Sequence, residues 1–465
     1  MNEIPKLVAK LRDTFDAGHT RPHAWRKQQL KQMKALLREG EDELARALQE
    51  DLGKAPIEAW ATELNLVSRE IDHMLSKLEA WAKPRRVHVP IQLQPAKARI
   101  IPEPLGVVLV IAPWNYPVQL QLLPMASAIA AGNAVIGKPS ELAPATSAEM
   151  ARLVAKYMDP DAIVIVEGAA EETQALLAER FDHIFYTGGP NVARIVMEAA
   201  AKHLTPVTLE LGGKSPAIID RNVDLDGAAR RVVYGKFVNT GQTCVAPDYI
   251  LVDQSVEQPF VDRLVANLKT FYGDDPKASK DYGKIVNDRH FGRLVGLLDA
   301  GGYQETVTGG KDKADASARY MPPTILRGVD PNARVMQEEI FGPILPVIPV
   351  PDVDAAISFV NAREKPLSLY VFSKDKSVAN KVLRRTSSGS ACVNTAIIHL
   401  AVPDLPFGGV GESGMGAYHG RRGFDTFSHL KSVLDKPTKP DPPLLYPPYK
   451  KVRERLLRRV LKARG

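Results

Sequence analysis

Cysteine is scarce in this chain, with two residues among 465. So few cysteines exclude the disulfide framework that stabilises small secreted domains, and they are typical of a protein kept in a reducing compartment. Long apolar runs are also lacking, because the longest, such as residues 105–112, are too short to cross a bilayer. Residues 1–31 are mixed and charged and do not resemble a secretory signal. We therefore expect a cytoplasmic protein without a membrane-spanning helix.

Clusters of Cys and His with the spacing of metal ligands are missing as well, so we expect no metal. Basic residues are in excess only at one end of the chain. Residues 450–465 contain eight Lys or Arg and one Glu, a balance of +7 that equals the formal net charge of the whole chain. The other residues are neutral by count, which argues against a nucleic-acid-binding face and a nucleic-acid partner.

The N-terminal part of the chain has a helical pattern. From Ile4 to about Trp81 apolar residues recur every three or four positions, which predicts a helical layer. An extended pattern among prolines follows at residues 83–102 and predicts a hairpin. A chain of 465 residues is too long for a single core, so further domains must follow.

Short apolar strands and helical patterns alternate from residue 105 onwards. Strands are predicted at residues 105–112, 133–137, 163–166, 183–186 and 207–209. After Glu210 the alternation restarts, and strands are predicted at residues 217–219, 249–252, 344–348, 369–372 and 389–393. Strands that alternate with helices form parallel sheets covered by helices on both faces. The sequence thus predicts an α/β fold with two doubly wound domains and a boundary close to Glu210.

Cys244 lies in the stretch 237–247, FVNTGQTCVAP, where its neighbours are small and polar. Small neighbours leave room for a ligand to approach the sulfur, although an inert packed cysteine is the alternative. Glu210 falls near a predicted strand end and precedes two glycines. A carboxylate among apolar residues has a raised pKa and suits the role of a general base beside a thiol. An ion pair between Glu210 and Lys214 is the alternative.

Four stretches resemble the signature sequences of the NAD(P)-dependent aldehyde dehydrogenase superfamily, and they occur in that family's order. They are IAPWNYP at 111–117, ELGGKSP at 210–216, FVNTGQTC at 237–244 and EEIFGP at 338–343. The resemblance runs from about Lys54 to Leu434. The stretches AAAKHLTPVTLELGGKSP and PFGGVGESGMGAYHG look most like the class 3 branch, which includes fatty-aldehyde and coniferyl-aldehyde enzymes.

The resemblance implies a Rossmann-like doubly wound cofactor domain, a second α/β catalytic domain and a small β oligomerisation element. By this division residues 1–82 and 103–209 form the NAD(P)-binding domain, and residues 210–393 form the catalytic domain. Residues 83–102 and 394–434 form the bridging element of a homodimer. Residues 435–465 are a proline-rich strap with a basic tail.

The implied reaction is the oxidation of a hydrophobic aldehyde, aliphatic or aromatic, to a carboxylic acid. Cys244 attacks the aldehyde carbon as a thiolate, and the side-chain amide of Asn115 and the backbone N–H of Cys244 hold the oxyanion of the thiohemiacetal. Hydride transfer to NAD(P)+ leaves a thioester, which is hydrolysed by a water that Glu210 deprotonates. The alternatives are an enzyme that passes the thioester to coenzyme A, against which Glu210 argues, and a non-catalytic binding protein on the same scaffold.

Two glycine-rich stretches compete for the phosphates of a dinucleotide. GVGESG at 409–414 fits the G-x-G-x-x-G pattern, but it has no clear strand before it and no clear helix after it. The better candidate contains Gly188 and Gly189, which end a predicted strand and open a predicted helix. A family position that is commonly glycine is Ala193 here.

The resemblance further implies that Lys138 and Glu141 contact the adenosine ribose. Glu339 would hold the nicotinamide ribose, with Phe341 beside the nicotinamide ring. Because a carboxylate near the 2′-hydroxyl favours NAD, the expected cofactor is NAD, with NADP as the alternative.

The same resemblance places Tyr116, Asn394, Phe407 and His419 around the substrate pocket. Each also has a structural alternative, such as packing for Phe407, capping of a turn for Asn394 and a hydrogen-bonded structural role for His419. Cys392, in an apolar strand pattern, is assigned to packing.

We expect a basic amphipathic helix at the C-terminal end of the chain. Residues 437–448 contain six prolines and predict an extended strap. Beyond it, apolar residues recur at helical spacing among arginines, at Val452, Leu456, Leu457, Val460 and Leu461. Such a helix suits peripheral contact with the anionic inner surface of a membrane. The alternatives are docking over the protein's own entrance and a solvated end.

Overall fold

The structure is a computed structural model that describes residues 3–441, 446–448 and 451–462. Its N-terminal layer is helical and consists of α1 (Glu3–Asp16), α2 (His23–Glu39), α3 (Glu41–Leu52), α4 (Pro56–Ala59) and α5 (Asn65–Ala82). A π-helical turn at Trp60–Leu64 joins α4 to α5 without a break. The helical layer expected from Ile4 to Trp81 is therefore confirmed.

Helices and strands then alternate along the chain. The helices are α6 (Pro117–Ala131), α7 (Pro144–Tyr157), α8 (Ala170–Ala178), α9 (Pro190–Ala201), α10 (Leu225–Phe237), α11 (Glu257–Tyr272), α12 (Asp288–Asp299), α13 (Val353–Asn361), α14 (Lys376–Arg385), α15 (Gly420–Thr426) and α16 (Lys451–Lys462). The strands are β1 (Arg85–Val87), β2 (Lys97–Pro104), β3 (Val107–Ile111), β4 (Ala134–Lys138), β5 (Ile163–Ile165), β6 (His183–Thr187), β7 (Val207–Glu210), β8 (Pro216–Ile219), β9 (Tyr249–Asp253), β10 (Glu305–Thr308), β11 (Thr324–Arg327), β12 (Ile344–Val350), β13 (Ser368–Phe372), β14 (Ser390–Val393), β15 (Gly414–Met415) and β16 (Ser428–Asp435).

The first sheet contains the strands that the sequence predicts upstream of Glu210, in the order β15–β7–β6–β3–β4–β5. Strands β3 to β7 pair in parallel, and β15 adds an antiparallel edge. Every residue of β3 and β4 is buried, as expected when helices cover both faces of a parallel sheet. The central helix α6 is buried along its whole length, and Pro117 opens it while Gly132 ends it at φ 97°.

The second sheet has the order β10–β11–β12–β9–β8–β13–β14. Its strands pair in parallel except for β10, which runs antiparallel to β11. The strands predicted after Glu210 all belong to this sheet, but the sequence pattern does not predict β10 and β11. The α/β fold with two parallel sheets is confirmed.

A third, antiparallel sheet is made by β1, β2 and β16. The predicted hairpin at residues 83–102 corresponds to β1 and β2, although β2 continues to Pro104. Strand β16 pairs with β2 over its whole length, from Ser428 opposite Pro104 to Asp435 opposite Lys97. This sheet joins the segment after α5 to the segment after α15.

The carboxyl ends of the parallel strands of the first sheet lie at one edge, where ligands of doubly wound folds bind. Lys138 ends β4, Thr187 ends β6 and Glu210 ends β7. Gly414 of β15 pairs with Glu210, so a segment late in the chain closes this edge of the sheet. The expected functional residues of the first sheet are therefore close together.

None of the helices in the described ranges is both long and apolar enough to cross a membrane. The expected C-terminal helix is present as α16. Residues 442–445 of the predicted strap, and the side chains of Val460 and Leu461, lie outside the described residues.

Candidate active site

Cys244 lies in a tight loop between a 3₁₀ turn at Val238–Gly241 and the strand β9. Asn239 and Thr240 adopt left-handed backbone conformations at φ 52° and 55°. A β-branched residue such as Thr adopts this conformation only under strain, which proteins retain where function requires it. Cys244 itself is half-buried. The backbone thus holds the sulfur at the wall of a cavity.

The surroundings of the Cys244 thiol favour its protonated form. Burial raises its pKa well above the ordinary value, and the negative charges of Glu210 and Glu339 raise it further. The backbone N–H groups of Cys244 and Val245 act in the opposite direction, because they stabilise the thiolate. The sulfur therefore needs a proton acceptor before it can react as a nucleophile.

Glu210 is the last residue of β7, and its side chain is 1% exposed. Neither carboxylate oxygen has a hydrogen-bond partner among the described residues. Burial without a partner raises the pKa of Glu210 well above the usual range. Lys214, the alternative ion-pair partner, instead donates to Asp248, so that alternative is wrong. Glu210 is thus a buried carboxyl group whose protonated form is favoured by its surroundings.

Asn115 follows β3 and is 2% exposed. Its side-chain Nδ2 donates to the backbone carbonyl of Gln242 over 2.9 Å. Because a carboxamide carries two N–H donors, the second donor stays available for another acceptor. Gln242 lies two residues before Cys244, so this hydrogen bond fixes the amide beside the sulfur-bearing loop.

The loop that carries Glu339 and Phe341 is held by charged residues from other elements. Lys214 donates to the backbone carbonyls of Val335 and Glu338, each over 2.9 Å. Asp248 accepts a hydrogen bond from the Ile340 N–H at 3.0 Å, and Arg293 donates to the Ile340 carbonyl at 2.5 Å. These contacts fix the backbone on both sides of Glu339.

The side chains of this loop lie near Cys244 and Trp114. The Glu339 carboxyl group accepts from the backbone N–H of Gly213, and burial raises its pKa to about 8. Phe341, in a left-handed conformation at φ 47°, lies edge-on to Trp114 with ring centroids 5.3 Å apart. Since Trp114 precedes Asn115, the contact places the loop beside the segment that carries Asn115.

The residues at the edge of the first sheet fit a dinucleotide. Gly189 is the N-cap residue of α9, and a Cβ atom added there would meet nothing within 4 Å. Thr187 Oγ1 is buried and has no hydrogen-bond partner in the described part of the chain. A helix N-terminus with free N–H groups and an unpartnered hydroxyl suits a phosphate. Ala193, the departure from glycine, is buried in the first turn of α9.

Lys138, at the end of β4, is surrounded by acidic residues. Its Nζ donates to the Pro139 carbonyl over 2.8 Å and to the Gly168 carbonyl over 2.6 Å. Burial lowers its pKa, while the negative charges of Glu141, Glu172 and Glu167 act in the opposite direction. Glu167 and Glu172 were not expected at this site from the sequence. Their position after β5, the parallel neighbour of β4, is the signal that places them at this edge.

Cys244 lines an apolar cavity of about 150 Å³. Tyr116 and Phe407 also line it, and the Tyr116 hydroxyl hydrogen-bonds the Thr243 hydroxyl at 2.8 Å. Other apolar side chains come from the π-helical turn, from α5, from α10 and from the segment before Phe407: Ala61, Leu66, Tyr234, Ile397, Ile398, Leu400 and Ala401. The π-helical turn was not expected from the sequence to line the cavity, because one extra residue per turn breaks the helical period.

Asn394 and His419 do not line this cavity. Asn394 accepts a hydrogen bond from the Ser373 N–H and donates to the Ser373 carbonyl, both at 2.8 Å, so that it caps a turn. His419 is 2% exposed and packs on Phe407 and Tyr418, and burial lowers its pKa to about 3. Both side chains are thus held by other residues of the protein, outside the lining of the cavity.

Cys392 lies in β14 and is 6% exposed. Its sulfur lies 3.2 Å from His399 Nδ1, and burial raises the pKa of the thiol to about 11. The side chain is therefore packed within the fold, as expected from the sequence.

The chain is similar to several known proteins over most of its length. The model of the aldehyde dehydrogenase family matches residues 1–433. The rat "aldehyde dehydrogenase, dimeric NADP-preferring" is 50% identical over 436 residues, which cover 94% of this chain and 95% of that relative. The rat "aldehyde dehydrogenase family 3 member A2" is 50% identical over 447 residues, which cover 96% of this chain and 91% of the relative. The substrate-bound structure of Staphylococcus aureus AldH has a TM-score of 0.95 at 44% identity and covers 99% of this chain and 100% of its own.

Proposed function

The chain belongs to the aldehyde dehydrogenase family, and from this premise we propose that it oxidises hydrophobic aldehydes to carboxylic acids with NAD(P)+. One observation carries the proposal: Cys244 lines an apolar cavity, and the buried, unpartnered carboxyl group of Glu210 is close enough to influence the pKa of its thiol. Such a pair of groups suits a covalent reaction followed by hydrolysis.

The first chemical step is carried by Cys244 and Asn115. The thiolate of Cys244 attacks the carbonyl carbon of the aldehyde, and a thiohemiacetal forms with its oxygen negatively charged. The free N–H of the Asn115 amide and the backbone N–H of Cys244 are the donors for that oxyanion. Removing one such donor is expected to lower the rate by about 100- to 1,000-fold.

Glu210 acts in the second half of the reaction. The thioester on Cys244 is hydrolysed by water, and a nearby carboxylate accelerates this step by removing a proton from that water. A general base of this kind contributes about 100- to 10,000-fold. The pKa of Glu210, raised by burial, supports this role because a carboxyl group with a usual pKa would be too weak a base.

Bound NAD(P)+ supplies the hydride acceptor that turns the thiohemiacetal into the thioester. Lys138 and Glu141 are the residues proposed to hold its adenosine ribose, and the N-terminus of α9 with Gly188 and Gly189 is proposed to face its phosphates. Glu339 is proposed to orient the nicotinamide ribose, with Phe341 beside the ring. The hydrogen bonds from Lys214 and Arg293 support this role, because they fix the loop of Glu339.

The cavity supports an apolar substrate. Its lining is mostly aliphatic and aromatic and includes Tyr116 and Phe407. A hydrocarbon chain or an aromatic ring gains roughly 25 cal/mol for each Å² of apolar surface removed from water, whereas a polar group loses hydrogen bonds there. Medium- or long-chain aliphatic and aromatic aldehydes are therefore the proposed substrates.

A substrate panel tests this proposal. NADH and NADPH formation is measured with aldehydes from hexanal to hexadecanal and with cinnamaldehydes, and rates are expected to exceed those with acetaldehyde. Cys244→Ser is expected to abolish oxidation. A strict requirement for coenzyme A would instead indicate an acylating enzyme, and no activity with any aldehyde would contradict the proposal.

The division of the chain into functional domains is part of the proposal. Residues 1–82 and 103–209 form the NAD(P)-binding domain, and residues 210–393 form the catalytic domain. Residues 83–102 and 394–434 bridge two copies in a homodimer. The pairing of β2 with β16 supports the bridging role, because it joins these two segments in one sheet. Sedimentation of the full chain is expected to give the mass of a dimer.

The C-terminal helix α16 is proposed to bind peripherally to the inner surface of an anionic membrane. Val452 and Leu456 are 78% and 51% exposed, and residues 450–465 carry a balance of +7. Apolar side chains beside arginines are the combination that binds an anionic lipid surface. Flotation with phosphatidylserine vesicles is expected for the full chain but not for a chain ending at Asp435. Equal behaviour of the two would contradict the proposal.

A further inference from the structure

Two buried charges lie behind the segment that carries Asn115. Lys54 and Glu63 form an ion pair, and their side chains are 1% and 0% exposed. The Lys54 ammonium group also lies over the ring of Tyr116, 4.0 Å from its centroid. Removing two charges from water is so unfavourable that a buried pair seldom adds net stability to a fold. Their presence beside a catalytic segment therefore suggests a role in the site.

The Lys54 end of the pair holds the backbone of the oxyanion donor. Lys54 Nζ donates to the carbonyl oxygen of Asn115 over 2.9 Å. The side chain of Asn239 donates to the same oxygen over 2.8 Å. With both lone pairs of this carbonyl occupied, the peptide plane after Asn115 has one orientation.

The Glu63 end holds the helix that begins just after this segment. Its Oε2 accepts hydrogen bonds from the backbone N–H groups of Val118 at 2.8 Å and Gln119 at 3.3 Å. These N–H groups belong to the first turn of α6, where they have no partner within the helix and a negative charge is stabilising. Glu63 thus fixes the start of α6, two residues after Asn115.

The π-helical turn Trp60–Leu64 explains how Glu63 reaches this position. The same turn sends Ala61 and Thr62 into the lining of the cavity, while Glu63 is fully buried beneath it. Turns of this kind recur at functional sites, because an extra residue redirects side chains without ending the helix. One short segment therefore contributes both to the cavity wall and to the support behind Asn115.

We propose that Lys54 and Glu63 are positioning residues that hold Asn115 in the orientation needed to donate to the oxyanion. Neither residue touches the reacting atoms, and both act through the backbone on either side of Asn115. The inference rests on the proposed function, because it assigns Asn115 to the oxyanion. A misplacement of about 1 Å costs roughly 100-fold in rate, so Lys54→Met is expected to lower kcat by about 10- to 100-fold.

The effect should appear in kcat and not in ground-state binding. The KM for the aldehyde and the affinity for NADH, measured by fluorescence titration, are expected to stay within about twofold of the wild type. Hydrolysis of a p-nitrophenyl ester by Cys244, which forms an oxyanion without hydride transfer, is expected to fall in parallel. Lys34→Met is the matched control, because Lys34 forms an exposed ion pair with Asp72 away from the site.

A double-mutant cycle with Asn115→Ala separates positioning from general damage. If Lys54 acts through Asn115, Lys54→Met lowers kcat in the wild-type background but by less than about threefold in the Asn115→Ala background. An equal fall in both backgrounds would overturn the proposal, and so would an unchanged kcat of Lys54→Met. Glu63→Gln, which keeps an oxygen for α6, enters the same cycle and carries the test if Lys54→Met does not fold.

The experiments distinguish a failure of the proposed function from a failure of the positioning role. If the wild type does not oxidise aldehydes, or if Asn115→Ala is as active as the wild type, the proposed function or its oxyanion assignment is wrong. If the wild type is active and Asn115→Ala is impaired while Lys54→Met and Glu63→Gln retain full activity, only the positioning role is wrong.

Discussion

The ammonium group of Lys214 pairs with the carboxylate of Asp248 and not with Glu210, although Lys214 lies only four residues after Glu210 in the sequence. The two side chains of the pair are 13% and 4% exposed. Glu210 is left without a charged partner among the described residues, so nothing offsets its burial. The pairing assigns Lys214 to the support of the Glu339 loop and leaves Glu210 free to exchange a proton.

Lys214→Met is expected to loosen the Glu339 loop. The variant loses hydrogen bonds to Val335 and Glu338 and leaves Asp248 buried without its partner. We expect affinity for NAD+ to fall by about tenfold, which corresponds to about 1.4 kcal/mol. Calorimetric titration with NAD+ measures this change. Lys202→Met, an exposed lysine near the end of α9, is the control, and equal NAD+ affinity in the two variants would contradict the assignment.

Glu210→Gln is expected to have opposite effects on two reactions of Cys244. The variant removes a negative charge that raises the pKa of the thiol, so the pKa falls and more thiolate is present at a given pH. Alkylation by iodoacetamide should therefore become faster at pH 8. Steady-state aldehyde oxidation should fall by about 100-fold or more, because the base for thioester hydrolysis is lost. Slower alkylation in the variant would show that Glu210 does not raise the thiol pKa.

Glu339→Gln is expected to change how stability depends on pH. Burial raises the pKa of Glu339 from 4.5 to about 8 in the folded protein. Between these values the unfolded chain has released the proton and the folded chain has kept it. The stability of the wild type therefore falls as the pH rises, and it stops falling above about pH 8. The variant lacks this loss. Urea unfolding from pH 5 to pH 9 measures the free energy of unfolding of both proteins. The value of the variant is expected to rise relative to that of the wild type across this range. A difference that does not change with pH would contradict the raised pKa of Glu339.

Cofactor preference is expected to depend on the carboxylates around Lys138. A 2′-phosphate adds negative charge where Glu141, Glu167 and Glu172 already act on this lysine. We expect the protein to bind NADH more tightly than NADPH, although a relative is named as NADP-preferring. Glu167→Gln should reduce the ratio of the NADH and NADPH affinities by about twofold to tenfold, because it removes the repulsion between one carboxylate and the 2′-phosphate. Glu198→Gln, on the exposed face of α9, should not change it, and fluorescence titration with both cofactors checks the prediction.

Much of the fold follows from the sequence, because strands buried on both faces are continuous apolar runs. β3 and β4 differ from their predicted bounds by one or two residues. β10 has the sequence ETVT and lies at a sheet edge, where polar residues are tolerated, so no pattern marks it. β15 contains two residues and exists only through its pairing with β7.

The candidate site was less accessible to sequence reasoning where it depends on side chains from distant elements. Cys244, Glu210 and Asn115 stand in recognisable stretches, and their chemistry can be argued from neighbouring residues. Lys54 and Glu63 lie in an ordinary helical pattern, and only the tertiary structure brings them behind Asn115. Asn394 was expected near the pocket, but a turn with Ser373 satisfies its amide, and that partner lies 21 residues away in the chain.

The pairing of Gly414 with Glu210 has a consequence for how the protein is made. Ribosomes synthesise chains from the N-terminus, so the nascent polypeptide contains Glu210 and Cys244 long before it contains the segment that pairs with Glu210. This edge of the sheet is therefore complete only once residue 414 has been synthesised, and a polypeptide that stops before residue 414 would leave Glu210 without the strand that pairs with it.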